Sequence, residues 1–321
     1  MIPHRRNPVI FGPVPSRRLG QSLGIINVSP KQCSYSCVYC QIGETKLPNT
    51  IRGTYFGPGE IYETVRKKIE KIHASGLKID YLTFVPTGEP ALDENIGEAI
   101  KLLKYLDLKI AIISNASMLT REDVKNDFLQ ADYISLKIDT LSCKTWLKIN
   151  RPHAHLKFHE IIQGIEDFKK IYHGTLVTET MLVKDVNDSI EEVERIADFI
   201  GDLNPDIAFL ALPIRPPAMD WVRIPDEGTL IDLYPIFQAR INRVEYLIDH
   251  EGSDFGYDKD DIRTSILEIT LVHPLREDVL KQMIPDAKEN EYIINELIIK
   301  KQLTKSSYKG KTFYLGKIIN N

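Results

Sequence analysis

Three of the chain's four cysteines fall within eight consecutive positions, Cys33-Ser34-Tyr35-Ser36-Cys37-Val38-Tyr39-Cys40. A disulfide framework spreads its cysteines to close long loops in an oxidising compartment. A tight cluster points instead to metal or redox chemistry. Three thiolates suit a soft metal centre and can bind three irons of a [4Fe–4S] cubane, leaving the fourth iron without a protein ligand. An open metal position is what a catalytic centre needs. Structural zinc would want a fourth Cys or His nearby, and none follows within thirty residues. Cys143, far along the chain at the start of a helical stretch, reads as a small buried apolar residue.

The C-x3-C-x2-C spacing, with Tyr39 immediately before the last cysteine, resembles the radical S-adenosylmethionine (SAM) superfamily. That resemblance implies that Cys33, Cys37 and Cys40 hold the cluster and Tyr39 lies against the adenine of SAM. The methionine moiety would chelate the open iron, and reductive cleavage would yield a 5′-deoxyadenosyl radical that takes hydrogen from a substrate. Pro86-Thr87-Gly88-Glu89-Pro90 resembles the family's Gly-Glu segment, which implies that Thr87, Gly88 and Glu89 bind the SAM ammonium; a carboxylate is a fitting partner for a cation. Ser114-Asn115 resembles the step that follows the next strand in relatives. Ser135, Lys137 and Asp139 alternate along one strand and share a face. Polar residues on a barrel-interior face need partners, which ribose or substrate would supply; the alternative is an internal Lys137–Asp139 ion pair. Asn187 either contacts adenosine or caps the helix starting near Ser189, a role that Asp188 also fits. Arg215 awaits a charged substrate group or stands solvated.

Phe11-Gly12-Pro13-Val14-Pro15-Ser16-Arg17-Arg18-Leu19-Gly20, Asn150-Arg151-Pro152-His153, Val186-Asn187-Asp188 and Arg215-Pro216-Pro217 look like a group of prokaryotic radical SAM proteins related to the archaeal tRNA wyosine-base synthases. The relation suggests RNA modification. The synthases carry a second cysteine triplet, however, and with only Cys143 left this chain cannot build one, so the substrate stays open. Arg17 and Arg18 either bind an anionic substrate group or hold the N-terminal segment to acidic neighbours. The implied partners are SAM and an external one-electron donor such as ferredoxin or flavodoxin. Two other readings are a cluster-bearing DNA-binding regulator and a glycyl-radical activating enzyme. SAM-contact motifs at successive strand ends favour an enzyme over the regulator.

These residues need a scaffold. Strands are expected near Leu23–Val28, Ile79–Val85, Leu108–Ile113, Tyr133–Ile138, Thr175–Val183 and Ile207–Leu212. Between them the spacing predicts helices near Pro58–Ala74, Glu94–Tyr105, Arg121–Leu129, His159–Ile171 and Ile190–Ile200. The alternation implies a parallel α/β sheet, here a partial (β/α)6 TIM-like barrel with its chemistry at the carboxyl ends of the strands. A helix near Glu227–Ala239 and a short β-like run Val244–Ile248 complete a core over residues 1–250. Residues 251–321 read as a linker, Glu251–Gly256, and a winged-helix-like module. That module has helices Asp261–Val272, Arg276–Met283 and Glu289–Lys300 and a hairpin turning at Lys309-Gly310. Read as separable, it predicts that a chain ending near Gly256 keeps SAM cleavage.

Composition is that of a globular protein, 43% hydrophobic and 27% charged, which argues against disorder. A net charge of −4 does not announce a nucleic-acid binder, although five lysines from Lys300 to Lys311 make a local basic edge. Met1–Arg6 lacks the apolar stretch of a secretory signal and no run approaches membrane-spanning length, so a cytoplasmic protein without a membrane partner is expected.

Overall fold

Strands and helices alternate because the apolar residues switch between a period of two and one near 3.6. The computed structural model describes residues 9–248, 252, 255–258 and 261–317. A hairpin of β1 (Val9–Ser16) and β2 (Gly20–Ile26) leads through the cysteine loop to α1 (Pro58–Ala74) and β3 (Tyr81–Phe84). Then come α2 (Ile96–Leu103), β4 (Lys109–Ser114), α3 (Glu122–Phe128), β5 (Tyr133–Lys137), α4 (Cys143–Ile149) and α5 (Phe158–Ile171). The series ends with β6 (Thr175–Met181), α6 (Ile190–Leu203), β7 (Ile207–Ala211), α7 (Glu227–Gln238) and β8 (Val244–Leu247).

Among the described residues these eight strands form one sheet in chain order, with β2 to β8 parallel and β1 antiparallel at the edge. The α/β barrel is therefore larger than the expected six units. The Val244–Ile248 run is a seventh parallel strand, paired with β7. The run from Phe11, read as a motif, is largely strand; its two prolines sit at a register shift and at the sheet edge, where no ladder donor is needed.

Period two divides the apolar residues into two layers. Leu82, Phe84, Ile110, Ile112 and Leu136 face the helices and form the main core. There α1 contributes Ile61, Val65, Ile69 and Ile72, spaced along one helical stripe. On the inner face Ala111, Tyr133, Val177 and Phe209 surround Leu19 from the β1–β2 turn. That turn bridges the open side of the barrel. Arg17 donates to the Leu247 carbonyl at the end of β8, and Arg18 pairs with Glu179 on β6.

The C-terminal segment holds α8 (Ile262–Thr270), β9 (Leu275–Arg276), α9 (Glu277–Met283), α10 (Ala287–Ile299), β10 (Leu303–Tyr308) and β11 (Lys311–Gly316). Its strands form a three-stranded antiparallel sheet in the order β10-β11-β9. The hairpin turns at Lys309 and Gly310, both with positive φ, as a two-residue primed turn requires. The apolar core of this segment, including Ile266, Leu280 and Leu297, is continuous with Val9, Phe11 and Ile26 of β1 and β2. Most of the expected Glu251–Gly256 linker, and with it the 250/251 boundary, lies outside the described residues. Phe255, which is described, is buried against His273. No helix among the described residues is long and apolar enough to cross a membrane.

Candidate functional site

The cysteine loop lies between two walls. On one side the Gln32 carbonyl accepts from the Glu89 backbone N–H at 2.8 Å, and the Lys31 N–H donates to the Thr87 carbonyl at 3.1 Å. A Cβ on Gly88 would sit 1.7 Å from the Gln32 oxygen, so this strand end admits the loop only because residue 88 is glycine. On the other side Ser36 N–H donates to the Asn150 carbonyl (3.0 Å) and Val38 N–H to the Ile149 carbonyl (2.9 Å), at the end of α4. The loop is closed on itself by Lys31 Nζ, which donates to the Gly43 carbonyl at 2.6 Å.

Between these walls the three thiols come within electrostatic reach of one another and of the Lys31 ammonium. Burial pushes the Cys37 thiol up to about 12, with the Asp139 charge adding to the rise. Burial, then the neighbouring Cys37, pushes Cys33 well above its ordinary value. Thiolates gathered in such a place need a cation to offset repulsion and lost hydration. Two amides already help: Asn115 Nδ2 donates to Cys33 Sγ at 3.6 Å and Asn150 Nδ2 to Cys37 Sγ at 3.5 Å. Among the described residues no three His, Cys, Asp or Glu side chains converge on a position for one ion. A cubane makes no such demand, because each thiolate takes a different iron. Cys143, expected to be buried, is exposed as the first residue of α4, because Trp146 and Ile149 supply that helix's buried face.

The motif residues at the strand ends meet as well. Glu89 is buried, and its carboxylate accepts from Ser114 Oγ (2.7 Å), the Asn115 backbone N–H (2.7 Å) and the Ala91 backbone N–H (3.1 Å). It thereby fastens the ends of β3 and β4 together. Burial nevertheless raises its pKa to about 7 against these three donors. Among the described residues the buried hydroxyls of Thr87 and Ser135 have no hydrogen-bond partner. A buried hydroxyl of this kind costs roughly 1–3 kcal/mol unless something bonds it, so both fit a ligand's polar groups.

Ser135, Lys137 and Asp139 share the inner face as expected, but Lys137 and Asp139 do not pair. Lys137 Nζ bonds Glu179 Oε1 at 2.7 Å and stands 4.9 Å from the centroid of the Tyr39 ring. Tyr39 OH donates instead to Asp139, which also accepts from Asn150 Nδ2 at 2.8 Å. Parallel strands β5 and β6 set Lys137 directly opposite Glu179, which decides the partner.

Asn187 does not cap the helix. Its Oδ1 accepts from the Val183 N–H, and its Nδ2 donates to the carbonyls of Asp139 and Met181, so it pins the loop after β6. The cap of α6 is Ser189, accepting from the Glu192 N–H, rather than Asp188. Arg215 is not a solvated loop residue: it donates to Gln41 Oε1 at 2.6 Å beside His273. Arg18 takes the acidic neighbour, Glu179. The residue beside the cysteines that the sequence left without a role is Asn150. It stood within the quoted Asn150-Arg151-Pro152-His153 motif, but nothing in the sequence joins it to Cys37, 113 positions away.

Comparison with known proteins shows the family and the fold. The family model of the Radical SAM superfamily matches residues 28–200. The UPF0026 protein MJ1312 of Methanocaldococcus jannaschii is 40% identical over 312 residues, covering 97% of this chain and 96% of the relative. An S-adenosylmethionine-dependent nucleotide dehydratase of Flammeovirga pacifica is 26% identical over 192 residues, 57% of this chain and 60% of that protein. The fold resembles that of a radical SAM methyltransferase from Sphaerobacter thermophilus, with a TM-score of 0.52 and 15% identity over 71% of this chain and 67% of that one. It also resembles Streptococcus suis SuiB bound to S-adenosylmethionine, with a TM-score of 0.53 and 13% identity over 76% and 56%.

Proposed function

The chain belongs to the radical SAM superfamily, alongside UPF0026 proteins, and from that premise we propose that it cleaves SAM reductively at a [4Fe–4S] cluster on Cys33, Cys37 and Cys40. The observation that carries this reading is the gathering of three thiols on one loop over the carboxyl ends of parallel strands. When bound, the cluster supplies the electron that splits SAM into methionine and the 5′-deoxyadenosyl radical, which takes hydrogen from the substrate.

The protein's own part is placement. Gly88 lets the cysteine loop seat against β3, and Glu89 holds the Ser114-Asn115 step beside it. Thr87 and Ser135 offer unmet hydrogen-bonding hydroxyls to SAM. Tyr39, held by Asp139 and covered by Lys137, gives the adenine an apolar wall. Lys137 and Glu179 pair beside the Tyr39 ring, a charged pair available to a polar substrate group. The electron comes from an external one-electron carrier of the ferredoxin or flavodoxin kind.

Anaerobic reconstitution tests the reading. Wild type should bind about four irons and release 5′-deoxyadenosine from SAM under reduction. Cys37→Ala should lose both, whereas Cys143→Ala should keep both. A full cluster and SAM cleavage in Cys37→Ala would overturn the assignment.

A further inference from the structure

We propose that Asn115 and Asn150 are positioning residues that raise the reduction potential of the cluster, each by donating one amide N–H to a ligand sulfur. The inference rests on the three thiols being cluster ligands. The two asparagines come from opposite walls of the loop and reach different sulfurs, Cys33 and Cys37.

Their amides are oriented by other contacts. Asn115 Oδ1 accepts from the Ser117 backbone N–H at 3.0 Å, so its NH2 must face the other way, toward Ser34 Oγ (2.9 Å) and Cys33. Asn150 Nδ2 is held by the acceptor-only carboxylate of Asp139 at 2.8 Å. Asn115 spends one N–H on Ser34 Oγ and turns the other to sulfur, and the second N–H of Asn150 is shared between Cys37 Sγ and the Tyr39 hydroxyl, each at 3.5 Å. Among the described residues no hydrogen bond reaches the Cys40 sulfur, so the donors serve two of the three ligands.

A hydrogen bond to a ligand sulfur stabilises the more negative, reduced cluster more than the oxidised one. Removing it should therefore make reduction harder. Asn115→Leu and Asn150→Leu delete the donors at similar volume, and Asn150→Asp replaces N–H by oxygen at the same shape. The measurement is the midpoint potential of each reconstituted full-length protein, titrated with dithionite and read by electron paramagnetic resonance, with iron content in parallel. At the wild-type midpoint each variant should show a ratio of reduced to oxidised cluster about tenfold lower, a shift of about 59 mV for one electron.

Wild-type midpoints in variants that hold a full cluster would overturn the proposal. Loss of iron from all three variants would also overturn it, because the asparagines would then build the loop rather than tune what it holds. A wild type that assembles no cluster defeats the underlying reading instead, and so separates the two failures.

Discussion

The cysteine loop and the C-terminal segment are held in place by opposite means. From Asn27 to Gly57 the chain makes almost no regular structure, and its order comes from hydrogen bonds to strand ends and to the end of α4. The C-terminal segment has helices, a sheet and an apolar core, yet that core runs into the β1–β2 hairpin. They meet at Gln41, next to Cys40, which donates to the Val272 carbonyl at 2.7 Å and accepts from Arg215. Polar contacts let the loop place thiols where burial would otherwise disfavour them. Apolar contacts make the distant segment a buttress for the hairpin that begins the barrel. Changes in the first region should alter chemistry more than stability, and changes in the second the reverse.

The largest test removes the buttress. Truncation after Gly256 should expose Val9, Phe11 and Ile26 and release Gln41. At roughly 1.5–3 kcal/mol per large apolar side chain, several kcal/mol of stability would go. Thermal melting and iron content of the truncated chain should both fall sharply, against the sequence-based expectation of a separable module. A truncated protein with wild-type melting and a full cluster would show that the contrast is drawn in the wrong place.

Within the segment, Ile266→Ala should cost about 2–5 kcal/mol, visible in chemical denaturation, while the SAM cleavage rate per folded molecule stays near wild type. Glu89→Ala should do the opposite in kind. It strands two backbone N–H groups and a hydroxyl, weakens SAM binding by roughly tenfold or more, and leaves the C-terminal core intact. Calorimetry with SAM separates the two variants; equal loss of affinity in both would erase the distinction.

A smaller effect concerns pH. Burial raises Glu89 and Asp93 to about 7 each in the folded protein. The folded state therefore binds more protons than the unfolded one between the ordinary carboxyl range and pH 7. Stability of the metal-free protein should be greatest below that range and fall as pH rises to about 7, with a slope of at most about 1.4 kcal/mol per unit for each group. Glu89→Gln should flatten part of that slope. An unchanged slope in Glu89→Gln would mean that Asp93 or another group carries it.

Much of this architecture is legible before any coordinates. The cysteine spacing declares its chemistry because three soft ligands so close in sequence have few other uses. The βα units of the barrel are equally local: Ile61, Val65, Ile69 and Ile72 mark α1, and the Leu82–Phe84 run marks β3. Only the tertiary structure decides what those elements do to one another. Val244–Leu247 is too short to declare a strand alone and becomes one by pairing with β7. Lys137 takes Glu179 rather than Asp139 because parallel pairing sets two strands in register. Asn187 turns toward three backbone groups that no periodicity reveals. Asn150 reaches Cys37 only once α4 has packed against the loop. Spacing within one element is written in the chain at a distance of a few residues. Contacts between elements depend on register and packing, which are properties of the assembled core.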